Sequence, residues 1–410
     1  MTEVFAFAVV LLIAVLISGM AHRTIISTAV LFLLAGYLLS GDVFGVVSVT
    51  TDDPVLEQFV ELALFAVLFT DGMMLGVRDL RTSWRLPGRA LLLGMPLTFL
   101  LLTLFAYVLF DLSWAEALLI GAVLSPTDPV FASALVGREE VPLRLRRMLN
   151  VESGLNDGLA LPVVIILLHI IGGESLDLAS LVFEVVLGIA IGVVIPLAAL
   201  RLERSRFFSV ELIYEPLNAF AIGLLVFSIG TLTHGNLFLA AFAGGVTVST
   251  VAPQFRDAFH QFGELIAELL KLAALFLFGA LIAFTFVTDI GWAGIAFAVL
   301  MLAVSRPLVL LVVLIHSGLT GREKLAAMWF GPKGFASVAY GLLILSTPVQ
   351  NFDFVNNDRE FIFHVIAIAI VISIVAHSST DVIVARWFVK DDPQLSQREY
   401  EARALDNEPG

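Results

Sequence analysis

Two aspartates interrupt stretches of sequence that are apolar enough to cross a bilayer. Asp128 lies in Leu124-Ser125-Pro126-Thr127-Asp128-Pro129, and Asp157 in Glu152-Ser153-Gly154-Leu155-Asn156-Asp157-Gly158. A charged side chain at membrane depth is costly, so it is normally enclosed by protein or water and serves a function. Pro126 and Pro129 remove two backbone donors and disfavour helix at Ser125 and Asp128, which should unwind the chain near Thr127 and release its carbonyl. Two carboxylates, the Ser153 hydroxyl, the Asn156 amide and a freed carbonyl are hard oxygen donors, better matched to a small hard cation than to a soft metal. They suit a proton as well. Burial favours the neutral form of a carboxylate and a bound cation favours the ionised form, so the two would compete for one site.

The spacing sharpens this picture. Glu152 and Asn156 are four residues apart, as are Ser153 and Asp157, so each pair shares one face of a helix. Gly154 and Gly158 form a small-xxx-small step that would let another backbone approach. Counted from Arg147 at about 1.5 Å per residue, Asp157 lies roughly 15 Å deep. Competing readings are structural. Asp128 could mark a plain proline kink, although mid-span is too deep for easy snorkelling. Glu152 could be a buried acid paired with Arg306 for stability alone. That reading suits Asp157 less well, because deep bases are few.

Composition sets the surroundings. The chain has 410 residues, 59% of them hydrophobic and 14% charged. Repeated apolar runs of about 20 residues read as membrane-spanning helices, without the short alternating segments of a β-barrel. The fold class is therefore an all-α polytopic membrane protein. Thirteen spans are predicted near 4–20, 25–40, 56–75, 88–110, 114–136, 147–171, 178–200, 211–232, 236–251, 261–285, 291–317, 325–347 and 360–385, the short ninth being the weakest. Met1-Thr2-Glu3 offers no basic n-region, so the first stretch reads as a retained helix. No cysteine is present, which excludes disulfides and thiol chemistry, and the net charge of −13 argues against nucleic acid as a partner. Six of the seven histidines, His169, His234, His260, His316, His364 and His377, show no metal-ligand spacing, and each reads as an interfacial or packing residue. Asp71 reads as a headgroup or helix-interface acid, and Lys271 as a neighbour of Glu268 and Glu264. No P-loop, HExxH or Gly-x-Ser-x-Gly motif occurs.

With the N-terminus outside, cytoplasmic connections and tail hold nineteen of the 23 lysines and arginines, and external connections hold only Arg359. The remaining three, Lys271, Arg306 and Lys333, fall inside spans. Such asymmetry supports this orientation and an odd number of crossings. Spans 1–6 start outside and spans 8–13 start inside, so the halves read as two inverted six-helix repeats joined by span 7. The fifth member of each half carries the helix breaker: Ser125-Pro126-Thr127-Asp128-Pro129 in span 5 and Gly331-Pro332-Lys333-Gly334 in span 12. Matched interruptions are the best pointer to a transporter's midplane site. Asp128 would sit near the N-terminal end of the second half of span 5, and Lys333 near carbonyl ends.

On the two specific motifs Ser125-Pro126-Thr127-Asp128-Pro129 and Glu152-Ser153-Gly154-Leu155-Asn156-Asp157-Gly158, together with the weaker Ser305-Arg306-Pro307 and Gly331-Pro332-Lys333-Gly334, the chain resembles NhaP-like sodium/proton antiporters of the monovalent cation:proton antiporter-1 family, relatives of the sodium/proton exchangers. The resemblance covers nearly everything before the polar tail. It implies crossing broken spans 5 and 12, with scaffold and dimer helices 1–3 in residues 1–87 and core helices 4–6 in 88–171. Linker and scaffold helices 7–10 would occupy 172–290, core helices 11–13 would occupy 291–388, and 389–410 would be a short cytoplasmic tail. It implies a cation site made by the Thr127 carbonyl, Asp128, Ser153 and Asp157, with Glu152, Asn156, Arg306 and Lys333 in support. Arg306 matches the arginine that pairs with the span 6 glutamate. Lys333 stands where many members have arginine, and lysine lacks that fork of donors. Electrogenic relatives carry two aspartates where this chain has Asn156-Asp157, which implies one titrating acid and 1:1 exchange. The resemblance further implies a homodimer in the cell (inner) membrane, no cofactor, and Na⁺ or Li⁺ exchanged for H⁺, with K⁺ as the alternative ion. An intramembrane aspartyl enzyme is a poorer reading, because its Tyr-Asp and Gly-x-Gly-Asp motifs are absent. A cation channel fits the paired breaks less well than alternating access does.

Overall fold

A computed structural model describes residues 2–21, 28–49, 54–74, 84–128, 141–172, 178–203, 211, 214–282, 286–346 and 358–389. The second half of span 5 and the polar tail beyond residue 389 lie outside these. The helices are α1 (Thr2–Ala21), α2 (Thr28–Leu39), α3 (Pro54–Met74), α4 (Arg85–Phe110), α5 (Trp114–Leu124), α6 (Leu143–Ile171), α7 (Leu178–Glu203), α8 (Glu215–Thr233), α9 (Leu237–Val251) and α10 (Pro253–Leu281). α11 joins Phe286–Leu300, a π-helical turn Met301–Ser305 and Arg306–Val313, and is followed by α12 (Gly321–Trp329), α13 (Phe335–Ser346) and α14 (Asp358–Val389). Among the described residues the only β pairing is one isolated bridge between Ser40 and Val47. Six helical stretches are long and apolar enough to cross a membrane, in α4, α6, α7, α8, α11 and α14, and shorter apolar helices lie in α1, α2, α5, α9 and α13.

Local chemistry explains where these helices start, stop and bend. Ser113 with Glu116 and Thr320 with Glu323 form complete capping boxes at the starts of α5 and α12. Asn236 caps α9, the short ninth span, which the structure buries against α3 and α7. The π-helical turns at Ala90–Gly94 in α4 and Met301–Ser305 in α11 each run into a proline one residue further on, Pro96 after Met95 and Pro307 after Arg306. A proline cannot donate to the preceding turn, so the ladder shifts register there. α4 and α11 are fourth in their halves, so this second matched feature strengthens the inverted-repeat reading, and the two turns lie in packed helices.

Two apolar clusters bracket the polar layer. On α6 the smaller cluster takes Leu145, Met148 and Leu149, and the larger takes Ala160, Leu161, Val164, Leu167 and Leu168. Glu152 to Asp157 fall between them. The predicted backbone approach is corrected at Gly158, where the nearest atoms to an added Cβ belong to the Phe242 ring, at 3.6 Å, and not to a backbone. The close approach is instead between α3 and α9, where a Cβ on Gly72 would strike the Phe242 carbonyl and one on Gly245 the Phe69 carbonyl. Sequence spacing marks small residues but does not say which of them face a partner helix.

Candidate functional site

The two broken spans meet at their breaks. α5 ends at Leu124 and residues 126–128 are not helical, while residues 330–334 separate α12 from α13. The Asp128 amide donates to the Pro332 carbonyl at 2.9 Å, and Asp128 Oδ2 accepts from the Phe335 amide at 3.0 Å. Asp128 therefore caps the N-terminus of α13. The expected second half of its own span lies outside the described residues; the half-helix that Asp128 caps belongs to the opposite repeat. A carboxylate is favoured there by free amides and the helix dipole. Lys333 takes the complementary place, its ammonium donating to the Pro126 carbonyl at 3.2 Å beyond the end of α5. The Ser337 hydroxyl donates to the Val123 carbonyl at 2.7 Å, and the Lys333 amide donates to Ser373 Oγ at 2.9 Å. Gly334 permits the crossing, since a Cβ there would collide with the Asp128 side chain.

α6 runs unbroken past this crossing. Glu152 and Arg306 form a two-pronged buried pair, with Nη1 donating to Oε1 at 2.7 Å and Nη2 to Oε2 at 3.1 Å. Arg306 Nε also donates to the Ala327 carbonyl at 3.1 Å, so the pair ties α6, α11 and α12 together. A Cβ on Gly331 would collide with Arg306. One helical turn deeper, Asn156 Nδ2 donates to Thr127 Oγ1 at 2.9 Å, and Thr127 Oγ1 lies 3.4 Å from Ser153 Oγ. Thr127, Asp128, Ser153, Asn156 and Asp157 are all buried. Oδ1 of Asn156 and Oδ1 of Asp157 are buried without a hydrogen-bond partner. The eight residues singled out in the sequence thus occupy one polar layer, Glu152 and Arg306 at one edge and Lys333 across from α6.

Three further residues join them. The Tyr340 hydroxyl donates to the Asp157 backbone carbonyl at 2.6 Å. Lys271 on α10 interacts electrostatically with Asp128, Asp71, Glu268 and Asp157, and Asp71 on α3 with Lys271 and Asp128. Asp71, expected at a headgroup or helix interface, is half-buried and interacts electrostatically with Lys271, Asp128 and Glu264. Lys271 is not merely a neighbour of Glu268 and Glu264. Lys271 was visible inside a span and Asp71 near the end of span 3; their convergence depends on α3 packing against α10. Among the described residues, no three His, Asp or Glu side chains gather as metal ligands would. His377 is a packing residue, its ring nitrogens 2.7 Å from the Ser373 carbonyl and 2.8 Å from the Trp329 carbonyl.

A second arginine–glutamate pair lies before the apolar part of span 12. Arg144 Nε and Nη2 donate to Glu323 at 2.6 and 2.5 Å, and the Thr320 amide donates to Glu323 at 2.7 Å. Burial pushes the Glu323 carboxyl upward, but the hydrogen bonds from Arg144 and Thr320 outweigh it and hold the group below the usual glutamate range.

An all-helical membrane protein whose opposed halves cross at two broken, charge-balanced helices is built as a secondary transporter. Residues 8–387 match the family described as sodium/hydrogen exchanger, transmembrane, and the chain belongs to that family of integral membrane antiporters. The chain is 24% identical over 401 residues to the K(+)/H(+) antiporter NhaP of Alkalimonas amylolytica, covering 96% of this chain and 68% of that relative. It is 25% identical over 332 residues to the K(+)/H(+) antiporter NhaP2 of Shewanella oneidensis, covering 78% of this chain and 57% of the relative. Its fold matches that of the sodium proton antiporter MjNhaP1 from Methanocaldococcus jannaschii with a TM-score of 0.75, covering 94% of this chain and 99% of the other at 18% identity. These neighbours are transporters, not enzymes.

Proposed function

We propose that this protein exchanges Na⁺ or Li⁺ for H⁺ across the cell membrane in a 1:1, electroneutral cycle. The observation that carries the reading is the pair of buried oxygens, Asp157 Oδ1 and Asn156 Oδ1, left without hydrogen bonds beside the Thr127 and Ser153 hydroxyls. Buried acceptors normally have partners. A desolvated monovalent cation, held by Asp157, Asp128, Ser153 and the Thr127 carbonyl, supplies one. A proton on Asp157 is the alternative occupant, and their mutual exclusion couples the two fluxes. Glu152 and Arg306 hold the geometry, Asn156 positions Thr127, and Lys333 balances charge at the second break. Residues 88–171 and 291–388 form the core that carries the site between the two faces. Residues 1–87 and 172–290 form the scaffold and the homodimer contact. The chain crosses the membrane thirteen times, with the N-terminus outside and the tail cytoplasmic, and it serves pH homeostasis.

A second reading, K⁺ in place of Na⁺, is favoured by the names of the two curated relatives. One experiment separates these readings. Purified protein in proteoliposomes is assayed for proton flux driven by Na⁺, Li⁺ or K⁺, with and without an imposed membrane potential. Na⁺-driven flux insensitive to potential is expected. Flux driven by K⁺ alone would replace the ion, strong dependence on potential would overturn 1:1 exchange, and flux intact in Asp157→Ala would overturn the site.

A further inference from the structure

A groove opens on the surface of the protein, lined in part by Pro307, the neighbour of Arg306. It encloses about 400 Å³ between α12 and α14, walled by Leu325, Met328 and Trp329 on one side and Ile383, Val384 and Trp387 on the other. That volume is in the range of small-molecule sites. Leu325 is 58% exposed, Ile383 56% and Trp387 41%, so in a membrane protein these walls face lipid. The residues repeat at helical spacing, three and four apart on each helix, so the groove runs along the helices for roughly 10 Å.

Its two ends differ in chemistry. At the inner end Trp329 Nε1 donates to Thr380 Oγ1 at 2.8 Å, next to the break at residues 330–334. At the outer end Arg322 lies on the same helical face as Leu325 and Trp329, and donates to the Trp387 carbonyl at 3.4 Å. Lys324 and the exposed Arg386 are the sequence neighbours of the lining residues Leu325 and Trp387. Glu323, the acid nearest in sequence, is turned away onto Arg144 and Thr320. An apolar slot with an aromatic and basic mouth is complementary to an amphiphile with a negative head. Basic pockets between helices near the cytoplasmic interface recognise anionic lipid headgroups, and tryptophans anchor at that depth.

We propose that this groove binds an anionic phospholipid, with one acyl chain between α12 and α14 and the phosphate at Arg322, Lys324 and Arg386. The site is joined to the second break. Trp329 Nε1 holds Thr380, the Trp329 carbonyl meets His377 at 2.8 Å, His377 meets Ser373, and Ser373 accepts from the Lys333 amide. A lipid seated against Trp329 therefore braces the half-helix that leads into Lys333.

The test does not depend on transport. Trp84, Trp114 and Trp292 are exposed and replaced by phenylalanine, which leaves Trp329 and Trp387 as reporters. The protein is placed in phosphatidylcholine vesicles containing an equal mole fraction of brominated phosphatidylglycerol or brominated phosphatidylcholine. Phosphatidylglycerol should quench with a preference of roughly fivefold in apparent affinity for each basic residue engaged. Arg322→Gln should reduce that preference by one such step, and Arg386→Gln added to it should reduce it further. Equal quenching by both headgroups overturns the proposal in favour of bulk lipid. Absence of quenching overturns it in favour of a protein covering the groove. A preference unchanged in the double variant overturns the assignment of the mouth. The headgroup comparison in the unsubstituted mouth stands even if the arginine variants fold poorly.

Discussion

Asp128 and Asp157 are the same side chain at similar burial, but the regions around them use it differently. Asp128 lies in broken chain at the crossing, where its amide and carboxylate both bond to the opposite repeat. It holds two half-helices together, and its charge is met by the free amides of α13. Asp157 lies on unbroken α6, held through its backbone by Tyr340, with a carboxylate oxygen that has no hydrogen bond. A carboxylate tied to the fold can lend a fixed oxygen to a bound cation, but it is poorly placed to be the group that takes up and releases the proton on each cycle. One carried on a rigid helix, with an oxygen left over, is well placed. We read the crossing as the frame and α6 as the side that presents the exchangeable group.

That contrast can be broken or sharpened in order of expected effect. Asp157→Asn should abolish cation-driven proton flux to the level of empty vesicles and leave the unfolding midpoint in detergent unchanged; residual coupled flux would dissolve the distinction between the two aspartates. Glu152→Ala, on α6 beside the crossing, should be the most destabilising change, about 3–5 kcal/mol by denaturant unfolding, because it strands the Arg306 charge in a buried place. Gly334→Ala should cost about 1–3 kcal/mol, the range for overpacking a tight contact, since its Cβ meets Asp128. An unaltered midpoint there would mean the two breaks are not locked together.

Smaller effects complete the series. Ser153→Ala should raise the half-saturating cation concentration roughly fivefold, as expected for loss of one oxygen contact worth about 1 kcal/mol, without changing the midpoint. Outside the layer, Arg144–Glu323 is the half-exposed counterpart of Arg306–Glu152: the Arg144 side chain is 52% exposed and that of Glu323 1%, against 10% and 7% for Arg306 and Glu152. Solvent around Arg144 screens the outer pair, so it stabilises less than the buried one. Glu323 is held below its unfolded value, so its stabilisation is present above the ordinary glutamate range and is lost as pH falls through the lowered folded value. Glu323→Gln should flatten this acid-side loss in a series of unfolding midpoints against pH. An unchanged acid limb would remove Glu323 from the account.

Much of the site was legible because lipid makes charges informative. Asp128, Asp157, Glu152, Arg306 and Lys333 stand out against apolar stretches, and prolines and glycines marked both breaks. Glu152 with Arg306, and Lys333 with a carbonyl end, were pairings the charges alone suggested. Less legible were contacts made by ordinary residues. Tyr340 looks like any aromatic in an apolar span, and Gly72 and Gly245 look no different from Gly154 and Gly158. Asp71 and Lys271 were visible as charges but not as a group with Asp157, because they lie on different helices far apart in sequence.

By itself the sequence determined the class of protein, the two interruptions and the oxygen-rich set on one helix. These follow from local rules: apolar length, proline's missing donor, and helical spacing. Only the tertiary structure decided that Asp128 caps the half-helix of the other repeat, that Lys333 answers it at Pro126, and that Asp157 keeps an unbonded oxygen. Those outcomes depend on how two distant breaks cross, and a hydrogen bond between residues some two hundred positions apart leaves no periodicity in the chain to be read.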